Sequence, residues 1–204
     1  MRKVGIFGGS FNPIHIGHLL LAQEALEHFE LEKVLLIPTA DNPLKRKITD
    51  IDKCDRFELV RLSAEGNDRF EVSDIEINSK KANYTIDTVR QLKEMDEAEY
   101  YFICGADIIL DIERWKDFDI LFSLMKFALA ARPGYKEERL NAHVNYLRDR
   151  YQAQIDIFYA PLIDLSSTDI RRRIGADRSV RYMISDKVYD YIIQNKMYLE
   201  QVDE

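Results

Sequence analysis

Apolar runs and amphipathic stretches alternate along this chain, separated by short polar breaks. Lys3 to Phe7 reads as a strand, and over residues 16–29 Leu19, Ala22, Leu26 and Phe29 fall on one helical face. Val34 to Ile37 is a second short apolar strand ended by Pro38, and a loop containing Pro43 leads to a helix over about 52–65. Phe70 to Ile77 reads as extended, with Val72 and the Ile75/Ile77 pair alternating against polar positions. Helical spacing returns in Thr85 to Met95 through Ile86, Val89 and Leu92. Tyr100 to Cys104 and Phe127 to Ala131 are two further apolar strands, separated by a segment ending in short helices. A strongly charged helix follows over 136–150, then a strand from Ile155 to Tyr159, then helices near 167–174 and 185–195.

This alternation predicts an α/β, Rossmann-like, doubly wound fold: a mostly parallel sheet with helices on both faces, because parallel neighbours require crossover connections. No repeat, linker or low-complexity tract interrupts the pattern. Residues 1–204 therefore read as a single domain, with about 160–204 a small C-terminal helical region. Ligands of such folds bind outside the carboxyl ends of the strands, and the unusual polar residues collect there. Gly8-Gly9-Ser10 follows the first strand, the Lys45 loop the second, and Gly105-Ala106-Asp107 the fourth. Arg132-Pro133-Gly134 follows the fifth and Ser166-Ser167-Thr168 the sixth.

With 204 residues, 46% of them hydrophobic, the chain has material for a substantial core. No apolar run approaches the roughly 18 residues that span a bilayer, and MRKVGIF enters the first strand without a signal-peptide core, so the expectation is a cytoplasmic protein with no membrane partner. A net charge of -7 argues against nucleic acid, which selects broad basic surfaces. Phosphate binding must then rely on local clusters such as Lys45-Arg46-Lys47 and Arg171-Arg172-Arg173. The two cysteines, Cys54 and Cys104, lie in a helical and a buried-strand pattern and read as reduced, packed thiols without metal spacing. His28 and His143 read as surface residues.

The densest chemistry lies between the first strand and the first helix, in GGSFNPIHIGH. Gly8 and Gly9 remove Cβ atoms where a phosphate could approach backbone N–H groups, and the helix start offers unpaired amides and a positive dipole end. His15 and His18, three apart, project toward one side. Neither G-x-x-x-x-G-K-[ST] nor G-x-G-x-x-G is present, and the histidines have no nearby third zinc ligand.

These residues carry a resemblance. GGSFNPIHIGH resembles the G-x-F-x-P-x-H-x-G-H signature of the H-x-G-H nucleotidyltransferase superfamily, and Ser166-Ser167-Thr168-Asp169-Ile170-Arg171 is similar to its adenylyltransferase motif S-S-T-x-I-R. Together with Tyr84-Thr85-Ile86-Asp87-Thr88, Gly105-Ala106-Asp107 and Trp115-Lys116, they resemble the bacterial nicotinate mononucleotide adenylyltransferases. The resemblance implies transfer of the adenylyl group of ATP to nicotinate mononucleotide, giving deamido-NAD and pyrophosphate without a protein nucleophile. It implies that Gly8, Gly9, Ser10, Phe11, His15, His18, Ser167, Thr168 and Arg171 bind ATP, with His15, His18, Lys45 and Arg171 catalytic. Ser167 and Thr168 would cap the late helix. Mg²⁺ would arrive with ATP and need no dedicated protein ligands. Thr85, Tyr84, Gly105, Asp107, Trp115 and Lys45 would bind the mononucleotide, with Thr85 on the ring carboxylate and Trp115 stacked on the ring. On composition alone the single tryptophan reads as core; the Trp115-Lys116 context reverses that. A homodimer is a further family expectation.

The chain also departs from the pattern. Asn42-Pro43-Leu44-Lys45 carries leucine where the family has histidine, and Ser79-Lys80-Lys81-Ala82-Asn83 lacks the usual arginine-glycine character. Among rivals, pantetheine-phosphate adenylyltransferases share both signatures but lack Tyr-Thr-Ile-Asp-Thr. A nicotinamide-preferring enzyme is nearer, and a nucleotide sensor that lost turnover is the alternative outside enzymes.

Overall fold

The computed structural model of the chain describes residues 1–40, 51–79, 83–131, 137–161 and 163–199. Six strands are described: β1 (Lys3–Gly9), β2 (Lys33–Pro38), β3 (Phe70–Val72), β4 (Glu99–Gly105), β5 (Lys126–Ala131) and β6 (Ile155–Tyr159). They form one sheet in the order β3-β2-β1-β4-β5-β6, each neighbouring pair parallel. The chain begins at the centre, winds outward through β2 and β3, then crosses back to β4. The switch point therefore lies between β1 and β4; β1 pairs Gly8 with Ile37 of β2 on one side and Ile6 with Phe102 of β4 on the other.

The connections are α1 (Ile16–His28), α2 (Lys53–Ala64), α3 (Thr85–Met95), α4 (Ala106–Asp111), a 3-10 turn (Ile112–Arg114), α5 (Phe118–Leu124) and α6 (Glu137–Tyr151). After β6 come α7 (Ser167–Gly175) and α8 (Asp186–Gln194). Side chains alternate across each strand, so one run feeds two cores. In β1, Phe7 joins Leu26, Leu59, Ile170 and Val188 from α1, α2, α7 and α8, whereas Val4 and Ile6 join Val89, Ile109, Leu121 and Val144 on the other face. Each such fully buried side chain contributes about 1.5–3 kcal/mol relative to exposure.

Four local expectations are corrected. The extended segment over 70–77 stops at Val72, because β3 is an edge strand and the chain then turns, with Asn78 N bonding Asp74 O (3.0 Å) and Ser79 N bonding Glu76 O (3.1 Å). In that turn Glu76 and Ile77 are both buried, which alternation does not foresee. Cys104 is buried in β4 as expected, but Cys54 is exposed at the start of α2 and does not pack. His143 is half-buried, its Nε2 3.1 Å from Ile109 O, whereas His28 is exposed. The cap of α7 is Ser166, whose Oγ accepts from Asp169 N at 3.0 Å; Ser167 and Thr168 already lie inside the helix.

Candidate active site

Where β1 ends, the chain runs from Gly8 through a loop to His15, the extended N-cap of α1. Phe11 holds a left-handed backbone (φ 43°), a conformation that a bulky residue adopts only when its surroundings enforce it. Here the enforcement is burial: its ring meets Phe7 and His18 edge-on at centroid distances of 5.6 and 5.2 Å. The imidazoles of His15 and His18 stack at 3.7 Å. Gly17 leaves room for that stack: a Cβ there would stand 3.1 Å from His15 Nδ1, close enough that the ring would have to give way slightly. His15 N donates to His18 Nδ1 (3.2 Å), which leaves the proton of a neutral His18 ring on Nε2.

Burial drives both rings toward neutrality. It lowers the His15 pKa from 6.5 to about 4, and lowers that of His18 to about 3, with the nearby His15 charge adding to the effect. Above pH 6.5 both rings are neutral whether the chain is folded or not. Below it the unfolded chain takes up protons that the fold excludes, so stability falls from about pH 6.5 toward 4. The expected loss is on the order of 1 kcal/mol per pH unit per excluded proton. Urea unfolding at about pH 7 and about pH 5 checks this: His18→Gln should lose clearly less stability between the two than the unsubstituted chain.

The loop is tied down from three directions. Ser167 Oγ donates to Pro13 O (2.9 Å), and Arg171 donates from Nη1 to Asn12 O (2.9 Å) and from Nη2 to Thr168 Oγ1 (3.3 Å). The Tyr198 hydroxyl, buried beyond α8, reaches Asn12 Oδ1 at 2.7 Å, and Ile16 N bonds Met183 O at 2.9 Å. From α2, the buried Arg56 guanidinium donates to Ser10 O and Ala40 O, both at 2.8 Å, clamping the segments that leave β1 and β2.

Beside this loop opens a cavity of about 680 Å³. Gly8, Gly9 and Ser10 line it together with Tyr84, Thr85 and Trp115, with Asp107 also in its wall. Thr85 is the first residue of α3, where N–H groups and the helix dipole favour an anion. Trp115 is half-buried and meets Phe102 edge-on at 5.7 Å. Lys116 pairs with Asp87 (3.1 Å) and lies 4.6 Å from the Tyr84 ring centroid.

The structure thus brings together most residues singled out from sequence, in two groups. Gly8, Gly9, Ser10, Tyr84, Thr85, Asp107 and Trp115 line the cavity. Phe11, His15, His18, Ser167, Thr168 and Arg171 form the adjoining loop-and-helix cluster. Gly105 caps α4 without lining the cavity. Lys45 and the triplet Arg132-Pro133-Gly134 lie outside the described residues. Among those described, no group of three His, Cys, Asp or Glu side chains is arranged to hold a metal ion, and no helix is long and apolar enough to cross a membrane. Sequence reasoning missed Arg56, Glu76, Asn12 and Tyr198. For Arg56 a signal existed: it shares one helical face with Leu59 and Val60, a charge amid apolar spacing.

Residues 6–173 match the cytidylyltransferase-like family, which makes the chain a nucleotidyltransferase. It is 40% identical over 200 residues to a probable nicotinate-nucleotide adenylyltransferase of Clostridium botulinum (strain Hall), covering 97% of this chain and 100% of that protein. A probable nicotinate-nucleotide adenylyltransferase of Clostridium tetani is 34% identical over 199 residues at the same coverage. The chain belongs to the cytidylyltransferase-like family and, within it, to the nicotinate-nucleotide adenylyltransferases. In fold it resembles the Plasmodium falciparum nicotinic acid mononucleotide adenylyltransferase complexed with NaAD, with a TM-score of 0.77 and 19% identity over 100% of both chains.

Proposed function

We propose that this chain, acting as one domain in the cytoplasm, transfers the adenylyl group of MgATP to nicotinate mononucleotide, releasing pyrophosphate and deamido-NAD. The observation that carries the reading is the cavity whose wall joins the Gly8–Ser10 turn to Thr85 and Trp115, the same turn leading on through Phe11, which packs against His18. An oxygen of the mononucleotide phosphate attacks the α-phosphorus of ATP in line. The bond from that phosphorus to the bridging oxygen breaks, and its electron pair leaves with pyrophosphate. No protein nucleophile takes part, so catalysis is positioning and charge stabilisation.

Neutral imidazoles suit that work. His18 would donate its Nε2–H to a phosphate oxygen, and His15, stacked on it, would hold the ring in place; charge growing on the oxygens makes the bond stronger in the transition state. Mg²⁺ would arrive with ATP as part of that substrate. The first turn of α7 and Arg171 would receive the β- and γ-phosphates, and Lys45 would add charge from its loop. Arg171 already donates to Asn12 O and to Thr168 Oγ1, so its phosphate contact would use the remaining N–H groups of its fork. In the cavity Trp115 would stack on the pyridine ring, Thr85 and the amides of α3 would take its carboxylate, and Asp107 would meet a ribose hydroxyl.

Pyrophosphate release from ATP, Mg²⁺ and either nicotinate or nicotinamide mononucleotide tests this. The nicotinate form is expected to turn over with at least about tenfold higher kcat/KM. Equal or better use of the nicotinamide form would overturn the roles of Thr85 and Trp115.

A further inference from the structure

Glu76 belongs to no motif, yet its residue is only 7% exposed and forms part of the same cavity wall as Thr85 and Trp115. Its carboxyl meets α3 through Thr88, whose Oγ1 lies 2.8 Å from Glu76 Oε1 and 3.4 Å from Tyr84 O. Thr88 stands three residues after Thr85, on the same side of the helix, and is itself buried in the cavity wall. The Glu76 backbone is fixed too: its carbonyl accepts from Asn83 Nδ2 and from Ser79 N, both at 3.1 Å.

One hydroxyl proton cannot serve both acceptors of Thr88. When Glu76 is protonated it donates to Thr88 Oγ1, and Thr88 donates to Tyr84 O, the carbonyl preceding Thr85. When Glu76 is ionised, Thr88 must turn its proton to the carboxylate. Resting on the reading that a ring carboxylate binds at Thr85, we propose that Glu76 is a specificity-determining residue of the pyridine end. As a neutral carboxyl seated on Thr88 it tolerates a ring carboxylate; as a carboxylate it repels that group and accepts hydrogen bonds from a ring amide instead.

The surroundings support the neutral form. Burial raises the Glu76 pKa above the ordinary carboxylate value, against a smaller opposing effect of the Thr88 hydrogen bond. Among the described residues, the other charged groups in the same wall are Asp107 and Asp111 of α4, Arg114 of the 3-10 turn, and Lys116. Lys116 is engaged by Asp87 of α3, and Lys53 of α2 donates to Ile77 O at 2.6 Å, next to Glu76.

The test is the ratio of kcat/KM for nicotinate over nicotinamide mononucleotide, followed across about pH 5–9 in the unsubstituted protein and in Glu76→Gln. Titrations of ATP, of the mononucleotide phosphate and of His15 and His18 are shared by both substrates and cancel. The ratio is expected to fall about tenfold or more as pH rises through the Glu76 titration, and to be flat in Glu76→Gln. A flat ratio in the unsubstituted protein, or an unchanged slope in the variant, overturns the proposal. A second measurement needs no variant. Above the Glu76 pKa, calorimetry in buffers of different ionisation enthalpy should show nicotinate mononucleotide taking up more protons on binding than the nicotinamide form; equal uptake overturns the proposal. Absence of nicotinate turnover at every pH removes the substrate reading and this proposal with it. Preferred nicotinate turnover with a flat ratio removes the role of Glu76 alone.

Discussion

Replacing His18 by alanine is expected to lower kcat by about two orders of magnitude or more, with a much smaller change in KM for ATP. The reason is that its environment prepares one bond. Phe7 and Phe11 flank the ring, His15 stacks on it, and the His15 amide occupies Nδ1, so Nε2 carries the only proton available to a ligand. A donor fixed in this way contributes most where negative charge is greatest, at the transition state. The ring is partly accessible rather than central to the core, so alanine should leave the fold intact, which circular dichroism would establish. Steady-state kinetics then decide: an effect confined to KM would mean that His18 only binds the ground state.

The second large effect is on stability. Arg56→Met should cost about 2–4 kcal/mol, because it removes charge-assisted hydrogen bonds to Ser10 O and Ala40 O while keeping the aliphatic bulk. For a chain of this length that corresponds to a melting midpoint lowered by roughly 5–15 °C. Activity should fall further than stability accounts for at permissive temperature, since Ser10 belongs to the cavity wall that Arg56 clamps. Arg56→Lys should rescue little, because an ammonium cannot span two carbonyls in the geometry of the fork. Thermal unfolding that leaves Arg56→Met within about 0.5 kcal/mol of the unsubstituted chain would show that the clamp is dispensable.

Much of the architecture was legible in the chain itself. Strands buried on both faces appear as continuous apolar runs, as in Val34–Ile37 and Tyr100–Cys104, and helices between them impose parallel pairing. The edge strand is where this reading failed: β3 has a neighbour on one side only, so alternation from Phe70 onward did not reveal where pairing stops. The GGSFNPIHIGH segment was legible because its stacked histidines, and the glycine between them, are neighbours in the chain.

The sequence by itself determined the strand-helix alternation, the closely spaced histidine pair and the motif that opens α7, since each depends on spacings of a few residues. Tertiary structure alone decided that Asn12 is held by Tyr198, that Arg56 bridges two strand ends, and that Glu76 is buried at the cavity wall on Thr88. The physical reason is separation along the chain. Asn12 and Tyr198 lie 186 positions apart, and no local periodicity records a partner that only the winding of the sheet brings into reach.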